Sequence, residues 1–219
     1  MKTPHRSSAS PRKPVAESGV PLPEEERMRW NRAFTDPLWR STRFNPQPNA
    51  LLVETVHQRP VGKALDMHMG DGRNALYLAQ LGWSVTGVDI ADRALQLAQQ
   101  QAQQLGLLLS TVEADATLYD WGTNHWDLIV LSYADESTHV AHVHAALKPG
   151  GLVIFENFHA DINHVLQGKL GKNLGFATDE LKNCYEEAGF RILRYEEPMG
   201  IADFSLETHR LVRLVAQKE

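Results

Sequence analysis

The chain has 219 residues, 42% of them hydrophobic and 22% charged, with a formal net charge of −5. That length suits one α/β domain with a real core and falls short of two ordinary domains plus a tail. The acidic balance argues against a broad electrostatic grip on nucleic acid or an anionic membrane. No run approaches the ~18 apolar residues of a membrane span. The single Cys184 precludes an intrachain disulfide and a Cys-rich metal site, and a reducing, cytoplasmic setting fits it.

Residues 1–24 are rich in Pro and Ser and show no hydrophobic period, so they read as a disordered, solvated tail. They lack the apolar region of a secretory signal. Residues 25–219 read as a single domain. Its first part, 25–60, carries Trp30, Phe34, Trp39 and Phe44 without a clean period. A helix and a loop are expected there, then a helix from about Ala50 capped by Asn49. These aromatics suit either a helical lid over a site or ordinary core packing.

From Ala64 onward, short apolar runs alternate with helical patterns, as in a parallel sheet covered by helices. Strands are predicted over Lys63 to Met67, Trp83 to Val88, Leu108 to Glu113, Trp126 to Ser132 and Leu152 to Glu156. Helices are predicted over Arg73 to Leu81, Asp92 to Leu105, Ser137 to Leu147 and, with Thr178 as N-cap, on to Ala188. Pro149-Gly150-Gly151 reads as a tight turn. Arg191 to Glu196 and Leu211 to Ala216 have no room for a useful helix between them, so they should pair antiparallel. The predicted fold is a doubly wound, mostly parallel seven-stranded sheet with an antiparallel C-terminal strand.

Ligands of open α/β sheets bind beyond the C-terminal strand ends, where strand order reverses. The first such loop contains Gly70-Asp71-Gly72 and opens directly into a helix, whose N-terminal N–H groups suit an anionic group. Asp89, 19 residues after Gly70, stands where an acid accepts ribose hydroxyls. The same glycine spacing admits a nicotinamide dinucleotide. Charge separates the two readings, because Asp66 and Asp71 would repel a pyrophosphate by several kcal/mol, on the order set by surface-like dielectric. A phosphate-free ligand bearing an ammonium and a sulfonium would be attracted by them, with Arg73 or the helix N-terminus taking its carboxylate.

From Ala64 to Phe155 the chain resembles a class I S-adenosylmethionine-dependent methyltransferase. GRNALYLA followed by GWSVTGVD is similar to the small bacterial methyltransferases that include the tellurite- and thiopurine-modifying group, and LKPGGLVIFE matches the post-core signature. The resemblance implies that S-adenosyl-L-methionine is the cofactor. It implies Asp66 at the methionyl ammonium, Gly70 and Gly72 along the methionyl and ribose region, Asp89 at the ribose diol and Asp115 with Ala116 at the adenine. Leu131 and Ser132 would lie beneath the ligand, and Met67, His68, Arg73, Asn74 and Ile90 complete the implied cofactor set. One position departs from the family, which usually has glycine where His68 stands. If the backbone there needs φ > 0, a side chain costs on the order of 1–2 kcal/mol.

Methyl transfer from a sulfonium is an in-line displacement that positioning can largely carry. A general base is needed only for an acceptor that arrives protonated, and the candidates are Tyr133, Asp135, His164 and, favoured, His159. No carboxylate or Cys pattern joins His139, His142 and His144 into a metal site. No N-P-P-[FY]-like sequence follows the fourth strand, which by resemblance disfavours a base amine or a glutamine amide as acceptor. A small molecule is therefore expected: a thiol, a metalloid oxyanion or a similar nucleophile. The rivals are a nicotinamide-dependent oxidoreductase and a non-catalytic S-adenosylmethionine-binding protein.

Overall fold

A computed structural model describes residues 23–133, 139–166 and 174–219. The predicted disordered tail falls largely outside the described residues, but Pro23 and Glu24 already belong to the first helix. Helix α1 (Pro23–Thr35) opens with Glu24, Glu25 and Glu26 and carries Arg32 in its last turn, both favourable to the helix dipole. Helix α2 (Pro37–Arg43) starts on a proline, and the Asp36 carboxylate accepts from the Leu38 and Trp39 amides. Where sequence suggested a loop there is this second helix. Helix α3 (Ala50–Val56) is capped as expected by Asn49, whose side-chain oxygen accepts from the Leu52 amide.

The remaining elements are β1 (Lys63–Met67), α4 (Arg73–Gln80), β2 (Ser84–Asp89), α5 (Asp92–Gln104), β3 (Ser110–Glu113) and β4 (Trp126–Ser132). They are followed by α6 (Val140–Ala146), β5 (Leu147–Phe158), α7 (Ile162–Leu166), α8 (Glu180–Glu187), β6 (Phe190–Glu196), β7 (Met199–Ile201) and β8 (Thr208–Lys218). Helix α5 shows why the periodicity was informative: Ala94, Leu95, Ala98 and Ala102 are buried on one stripe. The sheet runs β3-β2-β1-β4-β5-β8-β6, with β7 paired to β8 off that path. Pairs among β1 to β5 are parallel, whereas β8 is antiparallel to both β5 and β6. The doubly wound fold is thus as expected, with β7 as an eighth strand.

Central strands alternate strictly between two apolar layers. Leu65, Met67, Ile129, Leu131, Val153 and Phe155 join α6 and α8 residues on one face. Ala64, Leu128, Val130, Leu152 and Ile154 pack with α3 and α4 residues on the other. Asp66 has the parity of Ala64 and faces the α3–α4 layer. Strand order reverses between β1 and β4, which fixes the ligand crevice at their C-terminal ends.

Three local expectations are corrected. Strand β5 begins at Leu147 rather than Leu152, because Leu147 already pairs with Trp126 across a register shift; Gly150 provides the positive φ of 79° at this bulge. Thr178 does not cap α8: Asp179 occupies the N-cap with φ 59° and no side-chain cap bond, while the Thr178 hydroxyl lies 3.2 Å from the His159 ring. Pro149-Gly150-Gly151, read as a tight turn, lies within β5 instead, and Cys184 is half-buried. The first residues of the helix predicted from Ser137 lie outside the described residues.

Asn49 does more than cap. Its amide nitrogen donates to Glu156 and to Asp203, both at 2.8 Å, and it is fully buried. Asn49→Ala should therefore destabilise the fold by about 2–3 kcal/mol, since a cap and two buried charge-assisted bonds go together. Denaturant unfolding checks this; a loss typical of a surface change would remove Asn49 from that role.

Candidate active site

A cavity lies at the crevice, ≈ 440 Å³ with the open solvent at its mouth included. Its floor is the β1 loop, with Asp66, His68, Met69, Gly70, Asp71, Arg73 and Asn74. Ser132 and Tyr133 enter from β4, Phe34 and Phe44 from the N-terminal helices, and Asp203 with Phe204 from the turn before β8. The loop is held open by backbone geometry that only certain residues tolerate. Gly72 has φ 89°, and a Cβ there would stand 2.8 Å from the Ala98 Cβ, so the glycine allows α4 to begin against α5. At Gly70 a Cβ would meet the Phe34 ring at 3.3 Å, placing the lid directly on the loop.

His68 has φ 58°, so the usual glycine position does require the left-handed region here. His68→Gly relieves that strain but frees the unfolded chain, two effects of roughly 1 kcal/mol each and opposite sign. Thermal unfolding should accordingly shift by less than about 1 kcal/mol; a loss of several would show that the imidazole has a packing role.

Two acids end the first two strands in different states. Asp66 is 1% exposed, and burial pushes its carboxyl up to about 7 against the opposing Arg73 charge and the Ala75 amide. Its Oδ2 has no hydrogen-bond partner among the described residues. Asp89 is also raised by burial, but both oxygens are used: Gly70 N–H donates to Oδ2 and Ala91 N–H to Oδ1, each at 2.8 Å. Asp89 thus ties the first loop to the second. Asp71 differs from expectation, since the Arg40 guanidinium pairs with it at 3.1 Å and neutralises its charge. Arg73 is likewise committed, to Asp203 at 2.7 Å and to the Gln47 carbonyl at 3.0 Å. The charge argument against a pyrophosphate therefore rests on Asp66.

Behind the cavity lies a polar network that local sequence gave no sign of. Asp203 accepts from Arg73, Asn45 and Asn49; Glu156 accepts from Asn49, Arg213 and the Tyr133 hydroxyl. The Asp203 amide donates back to the Tyr133 oxygen at 2.9 Å. Asn74 joins α3 to β4, accepting the Asn49 amide and donating to Ser132 Oγ at 3.3 Å.

These features meet the comparisons with known proteins. Residues 64–151 match the family model described as a methyltransferase domain. The chain is 29% identical over 168 residues to an uncharacterized methyltransferase of Synechocystis sp., covering 69% of this chain and 76% of that one. The chain carries an S-adenosylmethionine-dependent methyltransferase domain. The fold is shared with magnesium protoporphyrin IX methyltransferase from Synechocystis, whose structure contains S-adenosylhomocysteine (TM-score 0.65, 18% identity, 90% of this chain and 99% of that one). It is shared as well with an S-adenosylmethionine-dependent methyltransferase from Methanosarcina mazei (TM-score 0.65, 18% identity, 76% and 96%). The nicotinamide reading is set aside by the family match.

The methyltransferase site does not gather every residue expected of it. Met67 and Leu131 are fully buried core residues, and Ile90 follows Asp89 at the rim. Asp115 sits on the loop after β3, outside the cavity, accepting from the Thr117 amide at 2.8 Å and hydroxyl at 2.7 Å. The Ala116 carbonyl accepts from Trp121 Nε1. His159, the favoured base, is not in the cavity. It is buried on the far side of β5, its Nε2 3.2 Å from Thr178 and its Nδ1 accepting the Asp161 amide. Tyr133 does line the cavity, but its proton is given to Glu156, and burial followed by the Glu156 and Asp203 charges pushes its acidity far out of reach. His164 is exposed on α7 and Asp135 lies outside the described residues. His139 and His142 stack on Trp121, at 5.6 and 6.2 Å between centroids, and His144 lies edge-on to Phe190.

Proposed function

We propose that this methyltransferase acts on a small-molecule nucleophile that reaches the cavity between the N-terminal lid and the β7–β8 turn. The observation that carries the reading is the aromatic closure. Phe34 and Phe44 stack at 5.5 Å, and Phe204 lies 5.3 Å from Phe44, so rings from both ends of the chain roof a compact chamber. Trp30 and Trp39 back this roof. A compact roofed chamber suits a small molecule better than a macromolecular chain.

The residues present fit the cofactor. Asp66 holds the methionyl ammonium, for which its unpartnered buried oxygen is suited. Gly70 and the α4 N-terminus, with His68, Arg73 and Asn74 beside them, line the methionyl end; Asp89 and Ile90 serve the ribose, and Asp115 with Ala116 the adenine. S-adenosylmethionine supplies an activated methyl group. The chain supplies orientation, exclusion of water by the ring roof, and a fixed wall at Ser132. Tyr133 is a positioning residue rather than a base, because its hydroxyl links Glu156 to the Asp203 amide.

The motif GRNALYLA supports membership of the tellurite- and thiopurine-type subgroup as a resemblance. Cytoplasmic location accords with the single cysteine, and no described helix is long and apolar enough to cross a membrane. The test is release of S-adenosylhomocysteine with a panel of small amines, thiols, phenols and metalloid oxyanions, beside a denatured protein and an RNA. Turnover confined to small molecules is expected; turnover confined to the macromolecules would overturn the reading.

A further inference from the structure

We propose that the acceptor is a small molecule whose nucleophile is a neutral pyridine-type ring nitrogen, so that the methylated product is a cation held among the lid rings. The inference rests on the reading of the cavity as the methyl-transfer site and names its substrate class.

The walls carry the argument. Four aromatic residues line the chamber, Phe34, Phe44, Tyr133 and Phe204; of its three carboxylates, Asp71 is paired with Arg40, Asp203 with Arg73, and Asp66 is the one reserved for the methionyl ammonium. Arg73 is the one guanidinium among the described lining residues, and it is already bound to Asp203 and the Gln47 carbonyl. His68 is the other basic group that lines it. Ring faces attract cations and repel anions. A thiolate or an oxyanion would enter among these rings with no uncommitted guanidinium among the described lining residues to receive it. An uncharged nitrogen meets no such repulsion.

The reaction also suits the walls. As the nitrogen lone pair forms the N–CH₃ bond, the S–CH₃ bond breaks and its electron pair stays on sulfur. Positive charge passes from sulfur to nitrogen without changing in amount, so the fixed rings can stabilise it throughout. A pyridine-type nitrogen has no proton to lose, and the product leaves as the N-methyl cation. No base is required for the attack itself, which agrees with Tyr133 and Asp203 being tied into the network.

The test uses the enzyme saturated with S-adenosylhomocysteine and three probes of similar shape, N-methylpyridinium, toluene and benzoate, titrated by ligand-observed NMR at pH 8. The cation should bind roughly fivefold or more tighter than toluene, and benzoate more weakly than either. Phe44→Leu and Phe204→Leu should erase the cation's advantage, while Phe44→Tyr retains it. Toluene or benzoate binding as tightly as the cation would overturn the inference, as would an advantage that survives both leucine variants. Titration of S-adenosylhomocysteine alone separates the two levels. If it binds and the probe order is wrong, only the substrate class fails; if it does not bind, the methyl-transfer reading fails with it.

Discussion

Asp66→Asn should make the cofactor-free protein more stable above pH 7 while removing most of its affinity for S-adenosylmethionine. In the folded protein the carboxyl titrates at about 7, against 3.8 for a free one, because burial penalises its charge. A group whose folded value is raised contributes its stability below the unfolded value and loses it as pH rises through the folded one. The penalty is thus absent below 3.8, grows up to about 7 and is complete above. It amounts to about 4 kcal/mol at pH 8, of which the amide should recover about 1–2, since its own N–H needs a partner. Loss of the carboxylate opposite an ammonium should weaken cofactor binding by roughly 100-fold or more. The wild-type affinity should also fall by about tenfold per pH unit below 7, because a protonated Asp66 cannot hold the ammonium. Thermal unfolding at pH 8, paired with calorimetric titration from pH 6 to 8.5, reads both signs. A variant that is destabilised and still binds normally would contradict the role given to Asp66.

Arg73→Met should cost about 3 kcal/mol of stability, because it strands a carboxylate whose side chain is only 10% exposed. Asp203 also accepts from Asn45 and Asn49, so the unpaired charge sits where the lid segment meets the turn before β8. Proteolysis between residues 36 and 48 should accelerate in parallel. The second change Arg73→Met/Asp203→Asn removes the stranded charge and should recover at least about half of the loss, the coupling expected of contacting residues. Additive losses in the double variant would show that Arg73 acts through packing instead.

The framework of this domain was legible because it is written locally. Alternating apolar runs place β1, β4 and β5, the alanine–leucine stripe places α5, and Asn49 announces α3 by the chemistry of its side chain. Gly70, Gly72 and Asp89 could be found from spacing, and Asp89 indeed touches the Gly70 amide. What stayed hidden depends on partners far away in the chain. Asp71 looks like a free acid until Arg40 arrives from α2. Asp203 and Phe204 lie in a turn with no period, and their meaning comes from Arg73, Asn45 and Phe44. His159 looked catalytic because it follows a strand end. Its strand, however, runs on to Phe158, which carries the ring past the crevice and against Thr178. Thr178 for the same reason could not serve as a cap.

The central claim is that the crevice between β1 and β4 holds S-adenosylmethionine through Asp66. Calorimetric titration of the protein with S-adenosylhomocysteine and, separately, with NADH tests it most directly. The account predicts one-site binding of S-adenosylhomocysteine, lost in Asp66→Asn, and none of NADH. Binding of NADH alone, or of S-adenosylhomocysteine with equal affinity in the variant, would contradict it.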